Sequence, residues 1–375
     1  MEQKQGIDKW ILIVSVILLC IGFIAVTSAS IMESTIKYGD AWYQAKKHGM
    51  SIGMSLVCGL ICLSIRSSFW KNRSIIALFV VSLMLVAVLA IGREINGAKR
   101  WLSLGIMNVQ PAEFLKLFWI LYFGGYVSKR ILSISTTYLG FFKPFAFLFV
   151  ILCLLMSQPD FGSFVVISVI TMAIIWVAGA GFLKFLSVFI PLGFAGIFAI
   201  AMSAYRMRRI STFRDPWADP FGSGYQLIQS LMAFGRGGLK GEGLGNSMLK
   251  QGYLPEAHTD FITSIIGEEF GFIGMCVLIL LELFIIYKAL AIGIRILKVD
   301  AIFQGYVCVG IGAWFLLQTL INITAASGGM PTKGLTLPLI SYGGSSLMVT
   351  CSAIAILLRI DYEWRNNIIK DRRDE

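Results

Sequence analysis

The sequence predicts an all-α integral membrane protein with about ten transmembrane helices. Both termini are cytoplasmic in this reading, and one long extracytoplasmic loop lies between helices 7 and 8. Three observations predict it. The 375-residue chain is 57% hydrophobic and only 14% charged, and its mean hydropathy is +0.78, outside the usual composition of soluble domains. Apolar runs of about 17 to 25 residues recur along its length, the span a helix needs to cross a hydrocarbon core, which implies helices and not a barrel. Lys and Arg of the short loops and tails fall mostly on one side of the implied topology, which orients that side toward the cytoplasm.

Breaks at charges, Gly and Pro divide the apolar runs into spans at 10–29, 50–65, 75–91, 111–127, 141–156, 161–178, 183–202, 261–286, 303–323 and 342–360. The first run is too long for a signal-peptide core, and no small-residue cleavage site precedes Lys37, so it is read as a retained span. The chain is read as a single polytopic domain, 1–375, with the outward loop at 203–259 and a short basic tail at 361–375. The cytoplasmic set includes Arg66, Lys71, Arg73, Lys129, Arg130, Arg359, Arg365, Lys370, Arg372 and Arg373.

The outward loop breaks the charge trend. It holds Arg206, Arg208, Arg209, Arg214, Arg236, Lys240 and Lys250 against Asp215, Asp219, Glu242 and Glu256. A solvated loop would carry such charges, and so would a site for the phosphate or diphosphate headgroup of a lipid. Nucleic acid is not expected at that face. The seven cysteines all fall in apolar runs and are read as small core residues.

Ionisable residues in or near a span are costly and mark candidate sites. Glu113 and Lys116, three apart after Pro111, share a helix face and can pair. Asp260 sits where the outward loop re-enters the bilayer. It is either a helix cap or a working carboxylate in the crowd of Glu256, His258, Asp260, Glu268 and Glu269. His258 is a candidate base or ligand, but His48 is the only other histidine, so a His-rich metal site is excluded. A divalent cation, Mg or Mn, shared between a carboxylate and a phosphate stays open. The Gly-rich stretches at 234–238, 241–245 and 341–346 match no nucleotide fingerprint and are read as tight turns, close backbone approaches or anion-binding nests.

Several blocks carry a resemblance across nearly the whole chain: Asn96-Gly-Ala-Lys-Arg-Trp101, Gln110-Pro-Ala-Glu-Phe114, Gln158-Pro-Asp-Phe-Gly162, the Asp215–Tyr225 stretch, Tyr253-Leu-Pro-Glu-Ala-His-Thr-Asp-Phe261 and the Pro331–Ser346 stretch. Together they resemble the SEDS family (shape, elongation, division, sporulation). Pro-Glu-Ala-His and Lys-Gly-Leu-Thr-Leu-Pro look like its division branch and not its elongation branch. The stretch 323–329 departs from the family's usual form and leaves the outer end of the ninth helix open.

The resemblance implies a peptidoglycan polymerase that joins lipid II units into glycan strands by inverting transfer, with undecaprenyl pyrophosphate leaving. Asp260 matches the family's catalytic aspartate and would be the general base. Arg100, Arg214, Arg236 and Lys333, or a bound divalent cation, would meet the pyrophosphate charge. Glu113 and Lys116 would shape a central cavity, with His258 and Ser341 beside the substrate. The resemblance further implies a septal class B penicillin-binding protein transpeptidase and other divisome membrane proteins as partners, in the bacterial cytoplasmic (inner) membrane at the septum. Two rival readings are a lipid II flippase and a divisome scaffold without activity. The lack of an obvious inverted repeat or a matched pair of broken helices weighs against a rocking carrier.

Overall fold

The structure, a computed structural model, describes residues 6–95, 98–103, 105, 108–131, 134, 137–332 and 334–369. Its described helices are α1 (Lys9–Tyr38), α2 (Tyr43–Ser64), α3 (Ser67–Ile91), α4 (Pro111–Lys129), α5 (Tyr138–Ser157), α6 (Phe161–Val177), α7 (Phe182–Ala201), α8 (Ala204–Arg214), α9 (Tyr225–Gly237), α10 (Ile262–Leu297), α11 (Ile302–Ala326) and α12 (Gly344–Arg365). Each predicted span coincides with one of them. Eight helices are long and apolar enough to cross a membrane. Of the other two predicted spans, α6 is an apolar helix of 17 residues, and α4 contains Glu113, Lys116 and Lys129.

Asp8 caps α1 by accepting from the backbone N–H groups of Trp10 and Ile11, and its carboxylate also pairs with Lys288 and Arg365, each at 2.9 Å. This one residue ties the start of α1 to the cytoplasm-side ends assigned to α10 and α12, so the two termini share an end of the bundle. The buried centre is built on α11 and α12, with Trp314, Phe315, Leu357 and Ile360 fully enclosed. Helix α7 buries little beyond Lys184 and Val188. It leaves Phe194, Ile197 and Phe198 exposed, as a lipid-facing helix does.

Several boundaries differ from the hydropathy reading. Helix α1 continues nine residues past position 29, through the polar Ser30, Glu33 and Ser34, because no breaker occurs before Gly39, which takes the left-handed C-cap conformation. Helix α2 begins at Tyr43 and α11 runs on to Ala326. Between α3 and α4 lies a small antiparallel sheet that an all-helical reading does not anticipate: β1 (Arg93–Ile95), β2 (Ala98–Ser103) and β3 (Asn108–Val109), in that order. The outward loop is also largely structured, carrying α8, a 3₁₀ turn at Pro216–Ala218 and α9.

The largest departure is in α10, which breaks at Gly271 (φ 66°, ψ −166°). The loop threads past this break. Phe272 N–H donates to Gly238 C=O at 2.8 Å and Ile273 N–H to Leu239 C=O at 3.2 Å, while Glu242 and Gly243 N–H groups donate to Glu268 and Glu269 C=O at 3.0 and 2.9 Å. Backbone groups that the interrupted helix forfeits are thus satisfied by the loop. Of the readings open for the 241–245 glycines, close backbone approach is the one seen here, and the Gly241, Glu242 and Gly243 N–H groups that an anion nest would use are already spent on carbonyls. A side chain at Gly271 would put its Cβ 2.4 Å from Gly241 N in backbone territory that only glycine occupies readily. Gly271→Ala should therefore cost at least about 1–3 kcal/mol, seen as a lower Tm in detergent, and an unchanged Tm would contradict this account of the break.

Candidate active site around Asp260

Asp260 lies at the end of the bundle opposite the termini, one residue before the N-cap of α10. That cap is Phe261, and no side chain caps the helix, so the helix-cap reading of Asp260 is not what the structure shows. Among the described residues, its carboxylate takes part in no hydrogen bond or ion pair. Its backbone, by contrast, is held firmly. Asn322 of α11 donates from Nδ2 to Asp260 C=O (3.1 Å) and to Leu335 C=O (2.6 Å), and Thr263 Oγ1 donates to Asn322 Oδ1 (3.3 Å). One buried amide therefore fastens the end of the outward loop to the 331–343 segment. That segment lays Gly334 against the carboxylate so closely that a Cβ there would lie 2.7 Å from Oδ2.

Burial in this setting raises the Asp260 pKa from 3.8 to about 6. The Glu256 charge adds to the rise, and Arg209, His258 and Arg100 pull against it. The guanidinium groups of this region are anchored by carbonyl oxygens. Arg209 Nη1 donates to Thr332 C=O (2.6 Å). Arg100, on β2, donates to Gln158 C=O (3.1 Å) and Pro159 C=O (2.6 Å), and Arg206 Nη1 donates to Ala199 C=O (2.6 Å). A neutral anchor fixes a guanidinium without cancelling its charge, which suits a site for an arriving anion.

The remaining candidates are distributed differently from the sequence reading. Arg100 stands at the site. Arg214, at the end of α8, is exposed, whereas Arg209 of the same helix acts on the Asp260 carboxylate and Arg206, one turn before it, interacts with Arg100. Their three-residue spacing was the available signal. Arg236 pairs with Glu268 at 3.0 Å. Glu268 also accepts from Ser247 Oγ and from the Met248 and Leu249 N–H groups, and Glu269 accepts from Lys250 Nζ and Ser28 Oγ, both at 2.7 Å. The acidic crowd around Asp260 is thus of two kinds. Glu268 and Glu269 are buried anchors that clamp the outward loop to α10 and α1, and do not join the reacting site.

Glu113 and Lys116 form a buried pair at 2.8 Å. Lys116 also reaches Gln318 Oε1 at 3.2 Å, and Gln318 Nε2 donates to Thr336 C=O at 2.6 Å. They bear on the site through the segment that packs on Asp260. Ser341 Oγ accepts from Leu337 N–H at 2.8 Å and closes a turn within that segment. His258 is buried, with Nδ1 3.2 Å from Glu33 Oε2. Lys333 lies outside the described residues. Among the described residues, no three His, Cys, Asp or Glu side chains converge as a cation cage. A divalent ion here would draw most of its ligands from substrate phosphates and water, and no step below is routed through one.

Fold and site together define a polytopic membrane protein with one poised, unpaired carboxylate beside carbonyl-anchored arginines at one end of its helical bundle. The cell cycle protein family that takes in FtsW, RodA and SpoVE matches residues 9–366. A relative from Aeromonas salmonicida, named probable peptidoglycan glycosyltransferase FtsW, is 46% identical over 96% of this chain and 91% of its own length. One of the same name from Escherichia coli O6:H1 is 44% identical over 96% and 86%. Among solved structures, a chain of a peptidoglycan synthase complex, described as coordinating polymerization and crosslinking, superposes with a TM-score of 0.77 at 25% identity, covering 96% of this chain and 98% of that one. The rod shape determining protein RodA of Thermus thermophilus shares the fold, with a TM-score of 0.70 at 23% identity over 95% and 97%. The chain belongs to the FtsW/RodA/SpoVE family of cell cycle proteins, the SEDS family.

Proposed function

We propose that this chain is a peptidoglycan glycosyltransferase of cell division, polymerising lipid II into β-1,4-linked glycan strands with Asp260 as general base. The observation that carries the reading is the carboxylate itself, unpaired among the described residues and with a pKa raised to about 6. Such a group is ionised at neutral pH yet basic enough to take a proton. The names of the relatives supply the reaction class.

In the reaction, the 4-hydroxyl of an acceptor GlcNAc gives its proton to Asp260 as its oxygen attacks the anomeric carbon of the donor MurNAc. The bond from that carbon to the diphosphate oxygen breaks, undecaprenyl diphosphate departs with the electron pair, and the configuration inverts. The diphosphate leaves as a stable anion, so no second carboxylate is required as acid, unlike the sugar alkoxide of glycoside hydrolysis. Arg100, Arg206 and Arg209, held on carbonyls, stand ready for the developing negative charge. The polyprenyl tails remain in the bilayer. The working place in this reading is the bacterial cytoplasmic membrane at the septum, beside a class B penicillin-binding protein transpeptidase. The likeness to a chain from a complex that couples polymerization to crosslinking supports such a partner.

Purified chain, alone and with that partner, is given labelled lipid II. Wild type should yield polymer, and Asp260→Asn should lose it by about 10²- to 10⁴-fold, the usual worth of a general base. Equal polymer from both would remove Asp260 from the chemistry. Passage of lipid II across liposomes without polymer from either would establish a flippase instead. A second variant separates placement from folding. Gly334→Ala displaces only the mobile end of the Asp260 side chain, so turnover should fall while Tm stays within the experimental scatter. A fall in Tm with normal turnover would contradict this packing.

A further inference from the structure

Helix α1 overshoots its apolar stretch and carries Glu33 to the Asp260 end of the bundle. There Glu33 Oε2 lies 3.2 Å from His258 Nδ1, and its other oxygen holds Lys37. His258 is two residues before Asp260 and is fixed from two more directions: its C=O accepts from Tyr342 N–H at 3.0 Å, and its ring packs on Tyr342 with centroids 5.4 Å apart. His48 of α2 also lies against the Tyr342 ring, at 5.7 Å, so the only two histidines of the chain both contact one tyrosine. The charged and titratable groups around His258 are then Glu33 and Lys37 from α1, His48 and Lys47 from α2, and Tyr342 from the 331–343 segment. Glu256 and Asp260 come from its own loop, with Arg209 and Arg100 beyond Asp260.

Arg209 and Arg100 are permanently charged, whereas an imidazole is charged or neutral near physiological pH. A carboxylate 3.2 Å from Nδ1 orients the ring. We propose that Glu33 is a positioning residue for the polymerisation reaction, acting through His258 to set the pH range in which Asp260 accepts a proton. The inference rests on the polymerase reading and adds to it a residue from the first helix, remote in sequence from the reacting carboxylate.

Two routes from Glu33 to Asp260 have opposite signs, and this decides the test. Acting directly, the Glu33 negative charge disfavours ionised Asp260, so its removal would move the acid limb of the pH–rate profile to lower pH. Acting through His258, its removal frees the ring whose positive charge favours ionised Asp260, so the limb moves to higher pH. We expect Glu33→Gln to shift the acid limb of kcat/KM for lipid II polymerisation upward by roughly one pH unit, the scale of a nearby charge, with activity largely regained at high pH. His258→Gln should shift it likewise, and Glu33→Gln should add nothing in that background. Size-exclusion behaviour and Tm of each variant establish that it is folded. A uniform loss of rate at every pH, a downward shift, or an equal further shift in the His258→Gln background would each overturn the proposal. Wild-type protein that makes no polymer would instead count against the polymerase reading itself.

Discussion

The site depends on keeping one carboxylate away from hydrogen-bond donors while holding the chain around it rigid. A solvated aspartate loses its proton in the range near 3.9 and is a weak base. An aspartate in a tight ion pair is weaker still. Asp260 avoids both because Asn322 secures its backbone, not its side chain, and because Gly334 packs on the carboxylate without offering it a donor. The nearby guanidinium groups are tethered to carbonyls, close enough to moderate the carboxylate's pKa and free to meet an anion.

That arrangement explains an otherwise costly feature deep in the bundle. Burying Lys116 and Glu113 carries a desolvation penalty that a bare ion pair often fails to recover. Here Lys116 also bonds Gln318 and lies 5.2 Å from the Trp314 ring centroid, and Trp314 Nε1 donates to the same Gln318 oxygen. Gln318 and Asn322, one helical turn apart on α11, both donate to the 335–336 backbone. The buried charges thereby orient an amide that holds the segment facing Asp260. Glu268 and Glu269 do comparable work for the outward loop, which cannot pack on a continuous helix and so inserts at the Gly271 break.

Much of this was legible in the sequence. Apolar run length marked a helix at each predicted span, eight of them long and apolar enough to cross a membrane, because a lipid-crossing helix has no other way to satisfy its backbone, and the block ending at Phe261 pointed to Asp260. What stayed hidden depends on tertiary contact. Hydropathy ends α1 at residue 29, but hydropathy measures solvent preference while the helix persists until Gly39, and the extra turns carry Glu33 into the site. Acidic density before and within α10 suggested one cluster. Only the fold shows that Glu268 and Glu269 face the loop while the Asp260 carboxylate lies against Gly334. Among seven basic loop residues, composition could not separate Arg209 from Arg214 or Arg236, since helix phase and a partner carboxylate decide which guanidinium is available. The short three-stranded sheet of β1, β2 and β3, whose middle strand carries Arg100, has too few residues for any periodicity to register.

The central claim is that an unpaired, desolvated Asp260 takes the proton in glycosyl transfer, and the wild-type pH–rate profile of lipid II polymerisation tests it most directly. A carboxylate raised to about 6 is increasingly protonated below that value and cannot act as base, so kcat/KM should fall tenfold per pH unit on an acid limb centred near pH 6. A profile that stays flat down to the ordinary aspartate range near pH 4 would contradict the account.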